Sequence, residues 1–439
     1  MKTKLGGRFF ATLILFSLIG QIAWVVENMY LNVFMYKMFS ASSSEIAVMV
    51  GASAVAATLT TVFIGALSDK IGKRKVFMCG GYILWGVSIL SFMLIRTNII
   101  EAIFPATVAA ASVGVALVII LDCVMTFFGS SANDAAFNAW LTDSTDNSNR
   151  GSAEGINAMM PLVAILAVFG GFMAFDLDKE NHWTFIFLII GLVVLTVGIV
   201  GLFVIKEPKL EKNTDGYFKT VIYGFKPSTV KQNKQLYLYL ALFIIFNISI
   251  QIFMPYLIIY YEVSLEMADY VLIMAPAIVL ASVFTFFWGK VYDKKGFNFS
   301  SWISLGLLAL GYVLLIIFTG KALVFVGSLL MMSGYLSGMA VFGAKIRDLT
   351  PENKSGMLQG VRIFSQVLVP GVIGPFIGDL LLSLTTDPSQ NVTNNDGTES
   401  FVPNISIFVG ALVAIAILAL AMLIYNIIKN KIDKKAQRC

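Results

Sequence analysis

Long uninterrupted apolar runs dominate this chain and restrict how it can fold. Two of them, FFATLILFSLIGQIAWVVENMYLNVFMY near the start and IFVGALVAIAILALAMLIYNII near the end, exceed the roughly 20 residues that cross a bilayer as a helix. Of the 439 residues, 58% are hydrophobic and 13% are charged, so one water-soluble core could not bury this much apolar surface. A membrane β-barrel would instead show alternating strands of about ten residues. The chain is therefore predicted to be an all-α polytopic membrane protein.

Charged and turn residues divide the chain into twelve such apolar segments, which are numbered as predicted spans in chain order. If both termini face the cytoplasm, 26 of the 31 lysines and arginines lie on the inner side, 4 lie on the outer side, and Arg362 lies inside a span. This bias predicts cytoplasmic termini in a cell (inner) membrane, and the compact loops favour a bacterial one. Because the basic residues are spread over separate loops, the net charge of +5 indicates topology and not a nucleic-acid surface.

The chain also repeats itself at half length. Three residues of the loop after predicted span two recur at an offset of 224, so that Gly65, Asp69 and Gly72 match Gly289, Asp293 and Gly296. Two further matches pair Tyr30 with Tyr256 and Asp143 with Asp348. The repeat predicts two six-helix bundles, residues 1–205 and 236–439, joined by a polar cytoplasmic linker, residues 206–235. Parallel six-span halves are typical of one large class of secondary transporters.

The loop sequence GALSDKIGKRK resembles the signature of the major facilitator superfamily, G-x-x-x-D-[RK]-x-G-[RK]-[RK], at every fixed position. Shorter patches, QIAWVVENMY, NDAAFNAWLTD, MPYLIIY and GVRIFSQVLVPGVIGP, are similar to the glycoside–pentoside–hexuronide:cation symporters and the related sucrose-transporter-like proteins. The resemblance implies twelve helices in two pseudo-symmetric halves that transport by alternating access. That branch carries acidic cation ligands in its second helix, whereas residues 46–67 here contain no acidic residue. This difference argues against sodium coupling by that arrangement.

In the resembling family, the signature loop latches the two halves together while the transporter faces outward. The resemblance therefore assigns five residues to a cytoplasmic gate: Gly65, Asp69, Gly72, Arg74 and Asp293. The alternative is that the lysines and the arginine only anchor helix ends at the anionic inner leaflet. That alternative explains the positive charges, but it explains neither Asp69 nor the two glycines at a fixed distance.

Ionisable side chains at membrane depth are few, and a lone carboxylate in hydrocarbon costs several kcal/mol. Glu27, Asp122 and Asp134 are therefore predicted to bind the coupling cation. Polar and aromatic side chains of predicted spans one, four, seven and eleven are predicted to line a wet cavity and bind substrate: Trp24, Asn28, Asn133, Asn247, Gln251, Tyr256, Arg362 and Gln366. Two alternatives remain, namely plain interhelical hydrogen bonding by the amides, and a place at the inner interface for Asp134 and Arg362.

Amide side chains hydrogen-bond hydroxyls and aromatic faces stack on sugar rings, so this lining suits a neutral polyhydroxyl solute. The predicted function is a secondary active transporter of a sugar or glycoside, coupled to a cation, with a proton favoured. The alternative is a proton-driven exporter of drugs or metabolites with the same fold. A channel and an enzyme are disfavoured, because the sequence has no filter-like loop and no HExxH or GxSxG motif. We expect no cofactor or metal, and a functional monomer whose partners are the bilayer, the solute and the cation.

Overall fold

The computed structural model describes residues 5–104, 109–146, 149–207, 222–351, 355–387, 389, 391–393 and 399–436. Eleven helices within these ranges are long and apolar enough to cross a membrane. They are Gly7–Phe39, Ser43–Ile71, Arg74–Leu94, Ala110–Asp143, Ser152–Phe172, Glu180–Val204, Lys234–Ser264, Tyr270–Ile317, Lys321–Leu349, Gly360–Thr385 and Ser406–Lys429. We call them spans in chain order. The eighth helix contains both span 8 and span 9, so the last three are spans 10, 11 and 12.

The eighth helix, Tyr270–Ile317, is too long to be one span. Its 48 residues would extend for about 70 Å at 1.5 Å per residue, more than twice the roughly 30 Å of a hydrocarbon core. Gly296 interrupts it with φ 75° and ψ −178°, a backbone conformation that no helix contains. The break separates span 8 from span 9, and the prediction of a twelve-helix membrane fold is confirmed.

Span 2 and span 8 both end at a glycine with positive φ. Gly72 follows the last residue of span 2 with φ 70° and ψ 27°, and its N–H donates to Ser68 O at 2.9 Å. Within the described residues, Gly72 and Gly296 are the two glycines with positive φ. Glycine favours this left-handed region because it has no Cβ. The sequence repeat thus marks a glycine with positive φ at the matching place in both halves of the chain, although ψ differs between the two.

Shorter elements flank the spans. Helical turns or helices lie at Phe92–Leu94, Thr97–Ile103, Tyr223–Phe225, Pro227–Gln232 and Ser355–Ile363, and an antiparallel strand pair at Val392–Thr393 and Glu399–Ser400. The helix of span 5 begins at Arg150, and that of span 12 continues to Ala436. Span 4, with 34 residues, is about 50 Å long at 1.5 Å per residue. It therefore extends past the hydrocarbon layer or tilts strongly, as its long apolar segment predicts.

The described chain forms two compact units. Unit 1 contains Met1–Lys226 and Pro388–Phe401, whereas unit 2 contains Pro227–Asp387 and Val402–Cys439. The predicted bundle limits, 1–205 and 236–439, stay a prediction. Of the predicted linker, residues 208–221 lie outside the described residues.

Glycines let the spans of each unit approach closely. In unit 1, a Cβ at Gly86 of span 3 would lie 2.5 Å from the backbone nitrogen of Leu195 in span 6. In unit 2, a Cβ at Gly311 of span 9 would collide with the backbone of Met331 in span 10. Small residues at such crossings allow van der Waals contact between helix backbones, which drives association inside a bilayer.

Candidate functional site

Four oxygen-bearing side chains from spans 1, 2 and 4 meet inside unit 1. Glu27 Oε1 accepts hydrogen bonds from the hydroxyl of Thr126 at 2.8 Å and from that of Ser53 at 3.2 Å. The two hydroxyl oxygens are 2.8 Å apart. The Asp122 carboxylate lies within electrostatic range of Glu27. Glu27 and Asp122 are 6% and 2% exposed, so both predicted coupling groups are buried among protein atoms.

This four-residue cluster has more acceptors than hydrogens. The hydroxyls of Ser53 and Thr126 supply two hydrogens for these three contacts, and within the described residues Glu27 Oε2 and Asp122 Oδ1 are buried without a hydrogen-bond partner. Among the described residues, no lysine or arginine forms an ion pair with either carboxylate. An unpaired carboxylate in a low-dielectric interior is costly. Added positive charge, such as a proton, would therefore lower the cost of burying this cluster.

A small cavity of about 10 Å³ adjoins Glu27 in unit 1. Its wall is otherwise apolar and consists of Ala23, Val26, Leu31, Ile89, Phe92, Met125, Phe187 and Ile190. A volume of this size admits about one water molecule, and a water there needs polar partners. Glu27 is the charged member of the wall and supplies its one polar side chain.

Widened helical turns occur in both units of the chain. Four π-helical segments occur in the described spans: Val26–Tyr30, Ser130–Phe137, Tyr260–Ser264 and Phe364–Leu368. They lie in spans 1, 4, 7 and 11, the spans predicted to line the cavity. Such turns are rare and are often found at functional sites, because they change the direction in which side chains point. The periodicity of apolar and polar residues in the sequence does not predict these segments.

Asp134, the third predicted coupling group, lies apart from the four-residue cluster. Its Oδ2 accepts from Ser130 Oγ at 3.0 Å, one helical turn earlier in the same segment. It remains within electrostatic range of Glu27, although it is only partly buried. The structure thus brings together two of the three predicted carboxylates and leaves the third as a separate site.

The predicted substrate residues of unit 1 divide into buried and accessible ones. Asn133 is 3% exposed. Its amide donates to the Tyr82 hydroxyl at 2.7 Å and accepts from Trp24 Nε1 at 3.3 Å. Asn28 is exposed and donates to the Trp24 backbone carbonyl at 2.8 Å. Asn133 therefore holds three spans together, while Asn28 and the partly exposed Trp24 present surface that a solute could contact.

The predicted substrate residues of unit 2 also divide into buried and accessible ones. Asn247 is 6% exposed and donates to Phe243 O at 2.8 Å. Tyr256 is fully buried, and its hydroxyl donates to Pro375 O at 3.2 Å. Its repeat partner Tyr30 is also fully buried. The repeated tyrosine therefore packs the interior of each unit in this structure, and the substrate role of Tyr256 stays a prediction.

Three predicted residues of unit 2 remain available to a ligand. Gln251 of span 7 and Arg362 and Gln366 of span 11 are partly exposed. No described residue forms an ion pair with the Arg362 guanidinium. Two carboxylates that the sequence reading passed over, Glu262 and Asp379, also lie in spans 7 and 11 and are partly exposed.

The charged loop between spans 2 and 3 is organised around Arg74. This arginine is 5% exposed. Its guanidinium pairs with Asp69, donates through Nε to Asp143 Oδ2 at 2.9 Å, and donates through Nη1 to Ser68 Oγ at 2.5 Å. Asp143 ends span 4, so one buried arginine ties together spans 2, 3 and 4. A plain lipid anchor would leave its guanidinium exposed, which this one is not.

The second copy of the loop lacks this arginine. The offset that matches Gly72 with Gly296 places Asn298 opposite Arg74. Asp348, the repeat partner of Asp143, instead accepts from the Tyr292 hydroxyl at 2.6 Å. Asp293 is exposed, and no described cation pairs with it. The predicted gate residue Asp293 thus has no ionic partner like that of Asp69, and its gate role stays a prediction.

The signature loop, the repeat and the twelve helices agree with a comparison against known families. The profile described as Major Facilitator Superfamily matches residues 9–375. The chain belongs to the major facilitator superfamily. It is therefore a membrane transporter and not an enzyme. A search of curated proteins returned no match.

Solved structures of other superfamily transporters share the fold. A bacterial homologue of the human lysosomal transporter Spinster aligns with TM-score 0.68 and 14% identity over 95% of this chain and 96% of its own. A mutant of the nucleoside transporter NupG aligns with TM-score 0.70 and 12% identity over 94% of this chain and 98% of its own. Similarity at this level of sequence identity shows a shared fold and does not identify the transported solute.

The contacts of two residues of this superfamily member become visible only in the structure. Ser53 joins the carboxylate cluster although span 2 has no charged residue at that depth. Asp143 completes the Arg74 network from 69 residues away. The sequence marks Asp143 as a repeated position, which was an available signal. Ser53 carries no such signal, because it is one of several small polar residues in its helix.

Proposed function

We propose that this transporter moves a small polyhydroxyl solute, a sugar or glycoside, by alternating access coupled to a cation, with a proton favoured. The proposal includes the glycoside–pentoside–hexuronide:cation symporter branch, cytoplasmic termini in a bacterial inner membrane, and action as a monomer. It rests above all on one observation, the buried cluster of Glu27 and Asp122 with its deficit of hydrogens.

A proton is the cation that best fits this cluster. Protonation of either carboxyl adds one hydrogen and removes one buried charge, which meets both deficits at once. A group that is costly when charged and buried changes its protonation as its surroundings open and close. A carboxylate that reaches water in one conformation and is enclosed in another can therefore load and release a proton during each cycle.

The solute class follows from the accessible polar surface of each unit. Asn28 and Trp24 in unit 1, and Gln251 and Gln366 in unit 2, offer amide groups and one aromatic face. These groups suit ring hydroxyls, and Arg362 supplies one cation for a carboxylate such as that of a hexuronide. Nucleosides, which the similar NupG carries by its name, also present a hydroxylated sugar ring and belong in any substrate panel.

The gate role of the signature loop is part of the proposal. The Arg74 network ties together the ends of three spans and would have to be intact for unit 1 to move as one body. Gly65, Asp69, Gly72 and Arg74 would form this gate, with Asp293 as the weaker second-half member.

The test is uptake into proteoliposomes under an imposed proton or sodium gradient, with labelled sugars, glycosides and nucleosides. We expect accumulation driven by the proton gradient. Glu27→Gln and Asp122→Asn should each abolish accumulation while leaving solute exchange, and the exposed Glu101→Gln is the matched control. Full accumulation by both carboxyl variants would refute the coupling site. Dye extrusion without uptake of any sugar would favour the exporter.

A further inference from the structure

The turn between spans 8 and 9 carries exposed lysines beside exposed phenylalanine rings. Lys290, Lys294 and Lys295 lie in the last turns of span 8, and all three are exposed. Among the described residues, no carboxylate forms an ion pair with any of them. We infer that these lysines bind the headgroup of one anionic phospholipid, whose acyl chains lie against the neighbouring rings.

The lysine side chains lie against the rings on both sides of the turn. Phe286 and Phe287 of span 8 are 68% and 56% exposed, and Phe299 of span 9 is 47% exposed. The ammonium group of Lys290 lies 5.4 Å from the centroid of the Phe286 ring and 5.5 Å from that of the Phe287 ring. The ammonium group of Lys295 lies 6.0 Å from the centroid of the Phe299 ring. Contacts of this kind hold a cation over a ring face, so they fix where the two charges lie.

A phospholipid matches both parts of this surface. Because spans 8 and 9 cross the membrane, their exposed rings contact lipid hydrocarbon. A lysine beside such rings covers apolar surface with its stem and keeps its charged head in the polar layer. Residues 286–299 contain three lysines and one carboxylate, that of Asp293, which leaves a net charge of +2. A basic cluster at this depth attracts the negatively charged headgroups of the adjacent leaflet.

The first copy of the loop is built differently. At the repeat offset of 224, Ala66 corresponds to Lys290 and Ile71 corresponds to Lys295. The first copy therefore lacks both lysines that contact rings in the second. Its buried Arg74 instead binds carboxylates of the protein itself. The anchoring role that the Arg74 network argues against in the first copy thus fits the second copy, where the cations are free to bind lipid.

The test is native mass spectrometry of the purified full chain in detergent, titrated with phosphatidylglycerol. We expect one tightly bound lipid molecule per chain. The variant Lys290→Gln/Lys294→Gln/Lys295→Gln should weaken this binding by about 10²-fold, because each lysine near an anionic lipid contributes roughly fivefold in affinity. All three side chains are exposed, so their replacement leaves the packing of the spans intact. Wild-type affinity in this variant would overturn the site.

The matched control is Lys70→Gln/Lys73→Gln/Lys75→Gln, which removes the same charge from the first copy and should leave the affinity unchanged. Equal losses in the two triple variants would indicate general attraction to basic residues and would overturn a site at this turn. Phosphatidylcholine should bind far more weakly, and excess inorganic phosphate should not displace the lipid. Equal binding of phosphatidylcholine, or displacement by phosphate, would overturn the assignment to an anionic lipid. The measurement concerns binding alone, so it does not depend on which solute or cation is transported.

Discussion

Replacing Arg74 with alanine tests whether the signature loop is an ionic latch or a lipid anchor. The Arg74 side chain is 7% exposed, whereas Asp69 and Asp143 are 40% and 22% exposed. Removing one partner of a buried ion pair costs about 3–5 kcal/mol, and an exposed pair is worth at most about 1 kcal/mol. Because a buried arginine meets two partly exposed carboxylates, we expect Arg74→Ala to cost about 2–4 kcal/mol.

The assay is thermal unfolding of the detergent-solubilised protein, with Lys73→Ala as the control. Lys73 is the adjacent motif residue, is exposed, and precedes the same helix. One kcal/mol corresponds to about 2–4 °C for a unit of this size, so Arg74→Ala should lower the melting temperature by about 10 °C. Asp143→Asn removes the charge of one of the two carboxylate partners but keeps an oxygen that can accept from Arg74, so it should lower the melting temperature by less than half as much. Equal, small effects of Arg74→Ala and Lys73→Ala would refute the latch and support the anchor.

Two further predictions concern single turns and loops. Gly72→Ala should destabilise the protein by about 1–2 kcal/mol because φ at Gly72 is positive. Gly65→Ala should be nearly neutral, since its Cβ would meet only Ala135 Cβ at 3.9 Å. Thermal unfolding of both variants checks this, and equal losses of stability would contradict it. The hydrogen bond from Lys321 keeps the pKa of Asp269 below its ordinary value. The contribution of this ion pair to folding stability is present at pH values above the ordinary carboxyl pKa. It is lost as the pH falls through the lowered pKa of Asp269 in the folded protein. Lys321→Met should therefore reduce the melting temperature at neutral pH and not in strong acid, and a deficit that persists in acid would contradict the assignment.

The sequence predicts the architecture well because its signals are local. Apolar length gives each span, and loop charges separate the spans from one another. In the eighth helix the structure itself shows no loop between two spans, because helical residues lie directly on both sides of the turn at Gly296. The repeat with Gly72 identifies that boundary from the sequence alone.

The candidate site is less predictable because it depends on how the spans rotate about their axes. Helical periodicity places Glu27 at the edge of a polar stripe, but the π-helical segment around it turns its side chain toward Ser53 and Thr126. Asn133 lies on a predicted substrate-binding face, but its amide hydrogen-bonds the side chains of Tyr82 and Trp24 instead. Such partners come from other spans, so no spacing within one helix can reveal them.

Each of the four widened turns holds one residue more than an ordinary helical turn, because its hydrogen bonds reach five residues ahead instead of four. Deleting a single residue within Ser130–Phe137 would return that stretch to regular geometry and leave the turns on either side close to their present orientation, because the wide turn absorbs the extra residue. A one-codon insertion or deletion can therefore create or remove such a turn, and re-aim the side chains within it, without rotating the rest of the helix. Comparison of this chain with distant relatives has to permit gaps in the middle of these helices, where gaps are ordinarily penalised.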